Sequence, residues 1–90
     1  MLKTLENLIS TIRQKKTSPD EKSYTSKLLR DKNLSVEKVK EEIAELIEAV
    51  ENNSNTVYEA ADVLYHLLVY LEGNGVRIED IMLELDKRRK

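Results

Sequence analysis

Val57-Tyr58-Glu59-Ala60-Ala61-Asp62-Val63-Leu64-Tyr65-His66-Leu67-Leu68-Val69-Tyr70-Leu71 is the stretch whose reading decides the fold. It contains no Gly or Pro and is long enough for about four helical turns. At about 100° per residue its apolar side chains run almost all the way round the helix. Only Glu59, Asp62 and His66 interrupt them, and spacings of three and four place these on one stripe. A helix that is apolar nearly all round is a buried helix. Buried carboxylates are costly unless a cation meets them.

Outward from this helix, ninety residues imply one domain, residues 1–90. Many Leu, Glu and Lys, with two Gly and one Pro, imply an all-α fold. The expected architecture is four to five helices in an antiparallel bundle. So short a chain can hardly surround the Val57–Leu71 helix, so a homodimer is expected. Basic and acidic residues are interleaved at a net charge of −2, which argues against nucleic-acid binding. The Lys87-Arg88-Arg89-Lys90 run is read as a solvated helix end. There is no cysteine, so thiolate and disulfide chemistry are excluded. No apolar run approaches the roughly 20 residues of a membrane span. Met1-Leu2-Lys3 begins an amphipathic helix rather than a signal peptide, so the expected location is cytoplasmic.

Leu2, Leu5, Leu8, Ile9 and Ile12 predict a first helix to about Lys15. Thr17-Ser18-Pro19-Asp20 breaks it, with Pro19 suited to the first turn of a short helix capped by Ser18. Ser23-Tyr24-Thr25-Ser26-Lys27 offers either a helix cap or hydroxyl and ammonium donors for an anion. Asp31–Leu34 reads as a turn, and Ser35 as the N-cap of a long helix to about Glu51. The apolar seam of that helix is Val36, Val39, Ile43, Leu46, Ile47 and Val50. Glu42 projects about 85° from the seam centre, at the border of the core. Asn52–Asn55 is a short connection, so the helices it joins are antiparallel. Gly73-Asn74-Gly75 stops the second of them. A last amphipathic helix follows, with Ile78, Ile81, Met82 and Leu85.

The two antiparallel helices each carry a carboxylate pair three residues apart, Glu42 with Glu45 and Glu59 with Asp62. Face to face, the four groups converge on one small volume. Like charges so close repel by roughly 1–4 kcal/mol per pair at effective dielectrics of 80 to 20. A divalent cation makes the arrangement favourable. Oxygen-only ligands with no His or Cys cluster suit Mg²⁺ or Mn²⁺ rather than zinc. Each pair has a simpler reading too. Glu41, Glu42 and Glu45 match a solvated helix face, and Thr56-Val57-Tyr58-Glu59 matches a capping box. Asp62, inside an apolar helix, is the residue these readings leave unexplained. His66 reads as a core histidine bonded to a neighbour such as Asp62, or as support behind a metal ligand. Without a glycine-rich phosphate loop, a Walker-type NTPase is excluded. Phosphate would be held by metal and by cations: Lys38, Lys27 and an arginine of the tail. Glu41 is placed to take a further metal or deprotonate water.

Lys38-Val39-Lys40-Glu41-Glu42-Ile43-Ala44-Glu45 and Glu59-Ala60-Ala61-Asp62-Val63-Leu64-Tyr65-His66-Leu67-Leu68-Val69 strongly resemble phosphoribosyl-ATP pyrophosphatase, of the all-α NTP pyrophosphatase superfamily. Ser23–Leu29 resembles the segment that precedes them in that family. Gly75-Val76, Ile78–Ile81, Leu85 and Arg88 resemble its closing helix. The resemblance implies Mg²⁺-dependent hydrolysis of phosphoribosyl-ATP to phosphoribosyl-AMP and pyrophosphate, the second step of histidine biosynthesis, by an all-α homodimer. It makes Glu42, Glu45, Glu59 and Asp62 metal ligands, Glu41 a further ligand, and Lys38 and Lys27 phosphate contacts, with Arg88 added from the tail. Lys40 stands where the family usually has glycine, and Ser26 where alanine is usual. The family is sometimes fused to the following cyclohydrolase, and no second domain is expected here. The rival expectations are a housecleaning nucleoside triphosphate pyrophosphatase and a non-enzymatic helical interaction module.

Overall fold

Residues 2–89 are described by a computed structural model as five helices: α1 (Leu2–Thr17), α2 (Tyr24–Arg30), α3 (Lys32–Asn52), α4 (Thr56–Gly73) and α5 (Ile78–Arg88). No strand occurs among the described residues, so the fold is all-α as expected. Met1 and Lys90, at the outer ends of the expected amphipathic start and basic run, lie outside the described residues.

Capping explains where two boundaries differ from expectation. α3 begins at Lys32 rather than after Ser35, because the Asp31 carboxylate accepts from the Leu34 N–H at 3.0 Å. Asp caps as well as Ser, and this leaves Ser35 buried within the helix. Asp31 is also the last cap of α2, its N–H donating to the Lys27 carbonyl at 3.1 Å. A single residue therefore joins α2 to α3. The segment after Pro19 is a turn and not a helix. α2 starts behind Ser23, whose hydroxyl accepts from the Ser26 N–H at 3.2 Å.

The α3–α4 hairpin turns through Asn53 and Asn55, with left-handed φ of 51° and 57°. Asn is one of the few residues with a side chain that visits this region readily. The Thr56 hydroxyl reaches back to the Ala49 carbonyl at 3.4 Å, and α4 starts without a side-chain cap. The Thr56–Glu59 capping box is therefore not formed, and Glu59 is free for another task.

Ile9, Ile12, Leu28, Leu68 and Val69 form the buried core, with Leu5, Leu8, Leu29, Leu34, Tyr65 and Ile78 packed on it. Each such side chain stabilises the fold by about 1.5–3 kcal/mol when fully buried. The core thus lies under the C-terminal half of α4, held by α1 and α2. The N-terminal half of α4 is not enclosed: Val57 is 83% and Leu64 48% exposed. α3 also turns a different face inward than its seam suggests. Ser35, Glu42 and Ala49, seven residues apart, are its buried positions, while Ile43, Ile47 and Val50 are exposed. Seven residues are 20° short of two turns, so these three share one face. Glu42 is inside the fold, and an apolar strip on α3 and α4 is left outside it.

One clasp ties the chain ends to this core. Arg13 of α1 donates to Glu72 of α4 from Nε and Nη2 at 2.9 and 2.8 Å, and to Glu79 of α5 from Nη1 at 2.9 Å. Glu72 is buried, and its carboxylate also accepts from the Ile78 N–H at 3.2 Å, capping α5 from outside. The Arg13 guanidinium holds both carboxylates below their ordinary value of 4.5, Glu79 at about 2. Groups depressed in this way stabilise the fold above the unfolded value, and that contribution is lost as pH falls through the folded one. Stability in urea should fall steadily below pH about 4.5. Arg13→Ala should cost about 2–3 kcal/mol at neutral pH and make the acid limb shallower, because Glu72 loses its buried charged partner.

Candidate functional site

Glu42 and Glu45 stand on α3, and Glu59 and Asp62 on α4 across the hairpin. Side-chain oxygens of Glu42, Glu45 and Glu59 lie within 4.8 Å of one another. Glu42 is buried, and its Oε2 has no hydrogen-bond partner. Desolvation raises its pKa to about 7, with Glu45, Asp62 and Glu59 adding to the rise. Burial also pushes Glu59 up, helped by Glu45 and Asp62. The donor set is oxygen only, close-spaced and short of a positive partner, which fits a hard divalent cation.

The candidate residues are not all drawn together. Asp62, on which the sequence reading leaned most, adds repulsion to Glu42 and Glu59 but stands outside the tight group of three. Glu41 is exposed and paired with Lys38 at 3.3 Å, so this lysine sits beside the cluster but is engaged. Lys27 is exposed on α2. Arg88, also exposed, pairs with Glu84 one turn earlier at 3.0 Å. Among the described residues no ion pair joins Lys27 or Arg88 to the carboxylates.

Two features were missed by the sequence reading. Glu48 continues the three-residue spacing from Glu42 and Glu45. It borders a concavity of about 370 Å³ at the hairpin end, with Glu45, Asn52 and Glu59. That spacing was a usable signal. The second is an aromatic cluster of Tyr24, Tyr65 and His66 that docks α2 on α4. His66 is a core histidine, as expected, but its Nδ1 donates to the Asp62 backbone carbonyl at 2.7 Å and not to the carboxylate. A further concavity, about 900 Å³ between α1 and α5, has Leu2, Leu5, Ile9, Ile78 and Met82 in its lining. Its acidic residues Glu6, Glu79 and Asp86 do not form a close carboxylate group like that of the hairpin.

Fold and site together define an all-helical domain with a carboxylate centre suited to a divalent cation. A family model described as phosphoribosyl-ATP pyrophosphohydrolase matches residues 5–89. A phosphoribosyl-ATP pyrophosphatase of Methanoregula boonei is 42% identical over 94 residues, covering 99% of this chain and 90% of the relative. One from Rhodobacter capsulatus is 42% identical over 87 residues, covering 93% of this chain and 84% of the relative. The chain also matches a chloroplastic histidine biosynthesis bifunctional protein of Arabidopsis thaliana at 42% identity over 92 residues. It spans 97% of its own length there and 33% of that relative. The chain belongs to the phosphoribosyl-ATP pyrophosphohydrolase family.

In the absence of divalent ions, the raised Glu42 carboxyl should make the protein less stable as pH rises from about 4.5 to about 7. A group whose folded value lies above its unfolded one contributes stability that is lost on this climb. Glu42→Gln should remove the effect and raise metal-free stability near pH 7.5 by about 2 kcal/mol, read by urea titration at several pH values.

Proposed function

We propose that this chain hydrolyses phosphoribosyl-ATP to phosphoribosyl-AMP and pyrophosphate, the second step of histidine biosynthesis, with Mg²⁺ held by Glu42, Glu45, Glu59 and Asp62. The observation that carries the site is the buried Glu42 oxygen without a partner, inside a set of carboxylates close enough to share one cation. Family membership supports the substrate, and the names of the relatives support the reaction. Mn²⁺ has similar ligand preferences and is expected to substitute.

When bound by these carboxylates, the ion would supply Lewis-acid polarisation of the phosphate and activation of the attacking water. The rest falls to the side chains. Lys38 exchanges Glu41 for a substrate phosphate, which leaves Glu41 free to accept the proton of the water or to serve as a further ligand. Lys27 and Arg88 supply further positive charge to the triphosphate. Water adds at one phosphorus of the anhydride as the bond to pyrophosphate breaks.

The acting unit is read as a homodimer of this single helical domain. Ile43, Ile47 and Val50 on α3, with Val57 and Leu64 on α4, form an exposed apolar strip that a second copy would bury. None of the described helices is long and apolar enough to cross a membrane. A cytoplasmic setting accords with a phosphorylated nucleotide as substrate.

With Mg²⁺ the protein should release pyrophosphate from phosphoribosyl-ATP and leave canonical nucleoside triphosphates intact. Asp62→Asn and Glu42→Gln should each lower kcat at least 100-fold with circular dichroism unchanged. Turnover of a free deoxynucleoside triphosphate instead would identify a housecleaning pyrophosphatase. A melting temperature indifferent to Mg²⁺ at neutral pH would leave the cluster without a cation. Ile47→Asp should convert the dimer to monomer in sedimentation.

A further inference from the structure

The segment Ser23–Lys27 has hydroxyls in excess of what a short helix needs, and the structure accounts for nearly all of them. Ser23 caps α2. Ser26 is fully buried, its hydroxyl accepting from the Asp20 N–H at 3.0 Å. Thr25 bonds the Tyr65 hydroxyl. None of the three is left for a ligand. Tyr24 is different, because 43% of it stays exposed while its ring is fixed from behind.

The fixing is specific. A backbone carbonyl only accepts, so the His66 Nδ1 facing Asp62 carries the proton. The opposite nitrogen, Nε2, then accepts from the Tyr24 hydroxyl at 2.9 Å. The Tyr24 ring lies nearly parallel to Tyr65, with centroids 6.3 Å apart and planes at 20°. It meets His66 edge-on at 5.7 Å and 76°. His66 ties the phenol by two successive hydrogen bonds to the backbone of Asp62, so Tyr24 borders the proposed site.

The protein has four tyrosines, no Phe and no Trp. Tyr65 and Tyr70 are half-buried, and Tyr58 sits beside Val57 on the apolar strip with 69% exposure and no anchoring bond. Only Tyr24 joins an exposed surface, a locked orientation and a hydrogen-bonded link to Asp62. A locked ring offers contact area without ordering cost, and stacking on it is open to any base.

We propose that Tyr24 is the platform on which the purine of the substrate stacks, held in place by His66. The inference rests on the pyrophosphohydrolase reading and assigns the part of the site that holds the base. Tyr24 is a substrate-binding residue here, and His66 positions it without touching substrate.

Kinetics of wild type, Tyr24→Leu and Tyr24→Phe with phosphoribosyl-ATP test this, alongside calorimetric binding of AMP and of pyrophosphate in Mg²⁺. Tyr24→Leu should raise KM and the AMP Kd about 10-fold, in line with the 1–3 kcal/mol of a base stacked on an aromatic ring. Pyrophosphate, which has no base, should bind all three proteins alike, and Tyr24→Phe, which keeps the ring but loses its bond to His66, should recover only part of the AMP affinity. An unchanged AMP Kd in Tyr24→Leu overturns the proposal. So does equal weakening of AMP and pyrophosphate, which would mean a general loss of the site. If the wild type leaves phosphoribosyl-ATP intact, the activity reading falls, and the AMP and pyrophosphate titrations still decide the platform.

Discussion

A carboxylate that the fold buries without giving it a partner is the constraint around which this structure is arranged. Glu42 lies on the inward face of α3, opposite Glu59 and close to Glu45. Turning α3 toward its apolar seam would have been favoured by hydrophobic burial alone. The helix instead spends its inward face on Ser35, Glu42 and Ala49 and leaves Ile43, Ile47 and Val50 outside. Both consequences point the same way. The inner charge calls for a cation, and the outer apolar strip calls for another surface.

The Arg13 clasp shows how the same chain treats charge when no chemistry is asked of it. Glu72 is as buried as Glu42, yet every part of its carboxylate is met, by the Arg13 guanidinium and the Ile78 N–H. Glu72 is held below its ordinary pKa, and Glu42 is pushed above it. One molecule thus moves two buried glutamates in opposite directions from their ordinary pKa. The difference is a guanidinium in one case and a ring of carboxylates in the other.

Much of this was legible in the sequence because it depends on local periodicity. The order of the main helices, the hairpin between α3 and α4, and the pairing of Glu42 and Glu45 with Glu59 follow from spacings of three and four. What escaped depends on contacts between residues distant in the chain. Arg13 is 59 residues from Glu72, and Tyr24 is 42 from His66, and no periodicity reports either. The rotation of α3 escaped for a related reason. A helical wheel locates the apolar face but not which of its neighbours the helix turns that face toward. The Ser35 and Thr56 caps were misplaced because Asp31 and the Ala49 carbonyl compete for the same local bonds.

Asp31 serves as the end of one helix and the beginning of the next, and this leaves no slack between α2 and α3. One residue added between Asp31 and Glu42 would swing Glu42 by about 100° and carry its carboxylate away from α4. One residue removed would swing it as far the other way. Over this span the chain behaves like a gear train, in which the identity of a tooth matters less than the count. The spacing from the Asp31 cap to Glu42 and Glu45 therefore constrains the length of this span as firmly as those residues constrain its chemistry.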